Sequence, residues 1–199
     1  MALQLDYKNL WTAHHLPITL TLIALLIAVL GDTVQHALRF DREAIADGQW
    51  WRLISGNLAH LGWSHTALNL AGLALIWALL WHSFSAKAWG IITLISGLAV
   101  TLGLYYLNPA LHWYVGLSGL LHGLFVAGVI GSLRRGDRRD LILLIAIAAK
   151  LAWEQYSGPM PGTAEMAGGP VIVDSHLYGA IGGTIVAFII SPQRNPPSH

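Results

Sequence analysis

The chain has 199 residues, of which 55% are hydrophobic and only 11% charged, with a mean hydropathy of +0.56. A soluble domain carries roughly 25% charged residues, so this composition excludes a water-soluble globule and implies an integral membrane protein, one membrane domain over 1–199. A net charge of +1 gives no footing for nucleic acid, and the absence of cysteine excludes disulfides, thiolate metal sites and a cysteine nucleophile.

Apolar stretches recur at 16–38, 63–81, 89–107, 113–133, 141–153 and 171–190. A span needs roughly 20 residues, and shorter ones are accommodated by local thinning or burial. The fold class expected is therefore all-α, a bundle of six transmembrane helices. The first reads as a retained span, since no small-x-small cleavage site follows its apolar run. The cluster Arg134, Arg135, Arg138 and Arg139 predicts a cytoplasmic connection between the fourth and fifth helices. Lys8, Lys87 and Arg194 then also fall inside, while Arg39, Arg42 and Arg52 fall outside among Asp41, Glu43 and Asp47. Both termini are cytoplasmic on this reading, and the longest loops, 39–62 and 154–175, face outward.

Ionisable groups inside a bilayer are expensive and read by default as functional. Four places carry them. In "HLGWSHTALNLAGL", His65 and Asn69 are four residues apart and share a face of the second helix. His60 points elsewhere, as a helix cap or a loop contact. Interhelical hydrogen bonding is the simpler role for such groups, worth about 0.6 kcal/mol on average.

The fourth helix carries "YVGLSGLLHG", where Ser118 and His122 are again four apart. Gly116, Gly119 and Gly123 clear side chains from the same region, so a neighbouring helix can approach closely. A helix running from 113 would set Ser118 about 7 Å below its outer end. On the fifth helix, "AKLAWEQYSG" places Lys150 four residues before Glu154. The pair is either a snorkelling lysine with its carboxylate or a substrate-recognition pair facing a site. The sixth opens with "DSHLYGAIGG", a stripe of His176, Gly179 and Gly183, with Asp174 or Ser175 placed as an N-cap.

Together these clusters describe acyl-transfer chemistry. A serine becomes a nucleophile when a base accepts its proton at hydrogen-bond distance, and two small-residue faces can bring Ser118 and His176 to about 3 Å. The oxyanion of a tetrahedral intermediate then needs donors. His65, Asn69 and the Ser118 backbone amide are the candidates.

The segments "GLSG", "HLYGAIGG", "HLGWSHTALN" and "WWRLISGNLAH", in that spacing over residues 50–187, resemble the rhomboid intramembrane serine proteases. The resemblance implies a Ser118–His176 dyad without a carboxylate, cleaving a transmembrane substrate near its outer end. His65 and Asn69 match the oxyanion residues, Gly116 and Gly119 the glycines around the serine, Gly179 and Gly183 the packing glycines, and His60 a structural histidine. One departure is His122, which stands where the family commonly carries an aromatic packed against the base. His122, Lys150 and Glu154 are candidates for substrate recognition.

The small size, "GLSGLLHGL" and "AKLAWEQ" resemble the rhombosortase branch. That likeness implies a protein partner bearing a C-terminal Gly-Gly-type transmembrane sorting tail, and a Gram-negative inner membrane with the site opening to the periplasm. Membrane lipid is the other partner expected; no cofactor and no metal is. A generic rhomboid protease and a non-catalytic binder of transmembrane partners are the alternatives. A metalloenzyme built on the ten histidines lacks the His-Glu-x-x-His spacing, and no carboxylate lies in sequence among the histidines of the second and fourth helices. Segment 157–175, rich in Gly and Pro, is expected to be an irregular lid over the site.

Overall fold

A computed structural model describes residues 7–193, with side chains from residue 14 onward; the inward placement of Arg194 lies outside the described residues, as does the Lys8 side chain. In chain order the elements are α1 (Tyr7–Leu30), α2 (Asp32–Leu38), β1 (Phe40–Asp41), α3 (Arg42–Ala46), α4 (Arg52–Ser55), α5 (Trp63–Leu80), α6 (Ala86–Leu107), β2 (Trp113–Tyr114), α7 (Ser118–Arg134), α8 (Leu141–Ser157), α9 (Thr163–Ala167) and α10 (Val173–Ile189). Six of these are long helices, each overlapping one of the expected spans.

The boundaries differ in instructive ways. The first expected helix, 16–38, is divided at Gly31, whose φ of 78° lies outside the right-handed helical region. The fourth begins at Ser118 rather than at 113. Trp113 and Tyr114 instead pair antiparallel with Asp41 and Phe40, and Gly116, at φ 134°, turns the chain into the helix. Ser118 is thus the first residue of α7, not a residue one turn down it. The fifth helix runs past Trp153 to Ser157. Neither Asp174 nor Ser175 caps α10, because both already lie in its first turn. Asp174 accepts from Asn108 Nδ2 at 2.5 Å, and Asn108 Oδ1 accepts from the Tyr178 hydroxyl at 2.8 Å, tying the start of α10 to the end of α6.

Helix α7 is apolar or small on every side and is accordingly the buried centre. Its most extensive partner is α10, followed by α6 and α5. Glycines set the α7–α10 contact. A Cβ on Gly179 would run into the Gly119 carbonyl, and one on Gly183 into the Gly123 carbonyl. The segment 39–62 is fixed by two arginines. Arg42 donates to the carbonyls of Leu104, Tyr105, Asn108 and Leu111 at 2.7–2.9 Å, satisfying the open end of α6. Arg52 does the same for His36 and Arg39 at 3.0 and 2.8 Å.

The outside of the bundle is apolar. Leu22, Leu26 and Val29 of α1, Leu75 of α5, Ile142 and Ile145 of α8, and Ile185, Phe188 and Ile189 of α10 are all exposed, a surface water would not tolerate at this extent. Trp63–Ser83 and Ala86–Leu107 are long and apolar enough to cross a bilayer, while His14–Leu30, Ser118–Arg134 and Val173–Ile189 are apolar but shorter.

Gly183→Ala is expected to lower the stability of the purified protein by about 1–3 kcal/mol, the usual range for overpacking. Thermal unfolding in detergent checks this. An unshifted midpoint would mean that α7 and α10 can separate without loss.

Candidate active site

Ser118 owes its position to the turn at Gly116. As the first helical residue it presents its side chain at the open N-terminal end of α7, where backbone amides lack intrahelical partners. Gly116 also makes room for a ring, since a Cβ there would lie 2.9 Å from His65 Cε1. His176, one turn into α10 and 4% exposed, reaches this end because Gly119 and Gly179 let the backbones touch. Its Nε2 lies 3.0 Å from Ser118 Oγ.

His176 also contacts a carboxylate, which the family resemblance does not lead one to expect. His176 Nδ1 is 2.9 Å from Glu154 Oε2. The four residues by which α8 outruns its expected end carry Glu154 against α10, and its side chain is 2% exposed. Lys150 Nζ sits 2.7 Å from the same oxygen, so the buried charge is neutralised within its own helix. Lys150 therefore does not snorkel; it turns inward and meets His122 Nε2 at 2.9 Å. His122 stacks on His176 with ring centroids 4.1 Å apart and planes 16° from parallel, filling the place expected for an aromatic. Its Nδ1 is 2.7 Å from the Ser118 carbonyl oxygen.

These contacts assign the protons. An ionised carboxylate only accepts, so His176 carries its hydrogen on Nδ1 and offers Nε2 to the serine hydroxyl. An ammonium only donates, so His122 accepts at Nε2 and donates from Nδ1 to the Ser118 carbonyl. His122, Lys150 and Glu154, expected as substrate-recognition residues, line the cavity, but their polar atoms are engaged with one another, with His176 and with Ser118. The histidine and carboxylate atoms of His122, Glu154 and His176 lie within 4.8 Å of one another, bringing a carboxylate among histidines that the sequence leaves without one. The Lys150 ammonium already contacts two of these three residues, so it is the cation of the cluster.

The expected oxyanion residues line the same cavity. Asn69 Nδ2 is buried with no hydrogen-bond partner among the described residues, an arrangement that normally costs about 1–3 kcal/mol. His65 Nδ1 accepts from the Leu61 amide at 3.3 Å, which leaves Nε2–H free to donate into the cavity. His60 forms no cap. It packs edge-on against His65 at 5.1 Å, and burial, followed by the neighbouring His65, lowers its pKa to about 4 and keeps it neutral.

Sequence reasoning missed Tyr114. It is 3% exposed, lines the cavity beside Ser118, and donates its hydroxyl to the Gly116 carbonyl at 2.7 Å. Nothing in its spacing distinguishes it from the other aromatics; its place follows from the β1–β2 pairing. The cavity has a volume of about 240 Å³. Its roof is the expected lid segment, which is not irregular throughout: it contains α9, and Thr163, Met166, Ala167, Pro170, Val171 and Ile172 face the cavity.

A sequence profile of the family described as "Rhomboid domain" matches residues 47–193. The "Putative rhomboid protease YdcA" of Bacillus subtilis (strain 168) is 25% identical over 156 residues, covering 75% of this chain and 72% of that protein. The chain belongs to the Rhomboid family, membrane-embedded proteins that act as intramembrane serine proteases.

An unpaired buried donor loses no hydrogen bond when deleted. Asn69→Ala is therefore expected to leave the thermal midpoint nearly unchanged while lowering the rate of an acyl-transfer reaction by about 10²–10³, the usual effect of removing one oxyanion donor. A large loss of stability with a small loss of rate would make Asn69 a packing residue.

Proposed function

We propose that this protein is an intramembrane serine endopeptidase. Ser118 is the nucleophile and His176 the general base; His65 Nε2–H, Asn69 Nδ2–H and the Ser118 amide are the oxyanion donors. The observation that carries this reading is the 3.0 Å contact between His176 Nε2 and Ser118 Oγ, with an unpaired donor lining the same cavity. Ser118 Oγ attacks the scissile carbonyl carbon and its proton passes to His176 Nε2. The same proton leaves on the departing amine as the C–N bond breaks. A water or another amine then resolves the acyl-enzyme.

Six spans with both termini cytoplasmic place Ser118 and the roof segment at the outer side, as the arginine distribution favours. Of the three exceptions among the arginines, Arg42 and Arg52 are consumed by backbone carbonyls and Arg39 pairs with Asp41, so all three count less toward orientation. An opening to the periplasm of a Gram-negative inner membrane is the corresponding location.

The substrate proposed is a transmembrane sorting tail preceded by a Gly-Gly-type segment, as in rhombosortases. Two features support it beyond the sequence resemblance. The cavity is small and mostly apolar, and the cavity-lining Lys150 and Glu154 neutralise each other. No free charge remains among its described lining residues to select a charged side chain, which suits small neutral residues at the scissile bond. Cleavage of a generic single-span substrate is the coarser alternative.

Fluorophosphonate labelling of the detergent-purified protein tests the chemistry. Wild type should label, and Ser118→Ala and His176→Ala should not. The same two variants should abolish cleavage of a reporter ending in a Gly-Gly sorting tail. Undiminished cleavage by Ser118→Ala would remove serine catalysis, and cleavage of any apolar tail regardless of the glycines would remove the substrate assignment.

A further inference from the structure

Of the residues of α8, Glu154 alone is buried. Part of its aliphatic surface faces outward, Ile142 and Ile145 being exposed, and its one carboxylate faces inward. Partly buried Leu143, Leu144, Ile147 and Leu151 pack against the core, and Glu154 lies among the inward-facing residues, where an ionisable group of a membrane-spanning helix reads as functional.

Following the hydrogen bonds from Ser118 closes a ring. The Ser118 hydroxyl donates to His176 Nε2, at 3.0 Å. His176 Nδ1–H donates to Glu154 Oε2, at 2.9 Å. Lys150 Nζ donates to that same oxygen at 2.7 Å and to His122 Nε2 at 2.9 Å. His122 Nδ1–H donates back to the Ser118 carbonyl, at 2.7 Å. Each tautomer in this circuit is dictated by its neighbour.

Resting on the reading of Ser118 as nucleophile, we infer that Glu154 is a third member of the catalytic group, a positioning residue that fixes the Nδ1–H tautomer of His176 and stabilises the imidazolium formed when Ser118 attacks. Glu154 stays ionised throughout: the proton moves only from Ser118 Oγ to His176 Nε2 and on to the leaving amine, while the Nδ1 proton remains between imidazole and carboxylate. Lys150 and His122 hold the carboxylate in register. Lys150 occupies a direction from which Glu154 could otherwise be solvated, and His122 clamps the imidazole from one face while anchoring Lys150 to the helix that carries the serine. The base is thereby assembled from three helices, and α8 must be docked for it to be complete.

The test is the labelling rate of the full-length protein with a fluorophosphonate across probe concentrations, which separates the maximal rate from half-saturation. Glu154→Gln keeps the shape and removes the charge. It should lower the maximal labelling rate by about 10⁴, the loss seen when a triad carboxylate is replaced by its amide, with half-saturation within about threefold of wild type. Because single removal strands the Lys150 charge, the double variant Lys150→Met/Glu154→Gln is measured beside it. A merely structural ion pair would regain both thermal stability and labelling once both charges are gone. Stability regained with labelling still slow supports the positioning role; labelling within threefold of wild type in either variant overturns it. Wild type that fails to label at Ser118 would instead overturn the reading of the serine itself.

Discussion

Everything at the site depends on two backbones touching. Helices α7 and α10 meet with Gly119 against Gly179 and Gly123 against Gly183, and at each place even a methyl group would strike a carbonyl oxygen. Ser118 and His176 belong to different helices, so their separation is the interhelical distance plus the reach of two short side chains. With larger residues at the seam, helix axes stand about 8–10 Å apart, and a serine cannot then be reached by a histidine one turn from the same end. The hydrogen bond between Ser118 and His176 is therefore a consequence of what four glycines lack.

The site's charges are arranged around that contact rather than added to it. A buried ionic group is tolerated where its partners are complete and its geometry fixed. Glu154 meets this condition through Lys150 on its own helix and His176 on another. Asn69 is the counterexample, a buried donor without an acceptor. Strain of this kind is affordable in a structure held together elsewhere, here by the glycine seam and by arginines that close the ends of α6 and α2. An unpaired amide donor thus lines the same cavity as the contact between Ser118 and His176.

Much of this was legible in the residues. Hydropathy located the six long helices, and residue type and spacing singled out Ser118, His65, Asn69 and His176, which line one cavity, because period and residue type both survive without coordinates. What escaped was tertiary in origin. The start of α7 depends on β1 pairing with β2, two short segments more than seventy residues apart. The end of α8 hides in "AWEQYS", where the apolar run stops but the helix continues; the spacing gave Glu154 its partner Lys150 on the same helix, but not its contact with His176. Tyr114 carried no periodic signal. The capping role expected for Asp174 gave way to a contact with Asn108, which no local rule specifies.

The pairing of Lys150 with Glu154 has a meaning for the moment before there is a fold. In the six-span reading, α8 must enter the bilayer as a nascent segment, when neither His176 nor α10 has yet been made. A lone charged residue at the centre of such a segment raises the free energy of insertion by about 2.5–3.5 kcal/mol. Four residues apart on one helix, the two charges meet on the same face, so the segment can present itself to the membrane as a nearly neutral one, led by the run Leu141–Ala149. The contact that later orders the site thus also makes the helix easier to insert, and a change of either residue alone would be felt during biogenesis as well as in the finished protein.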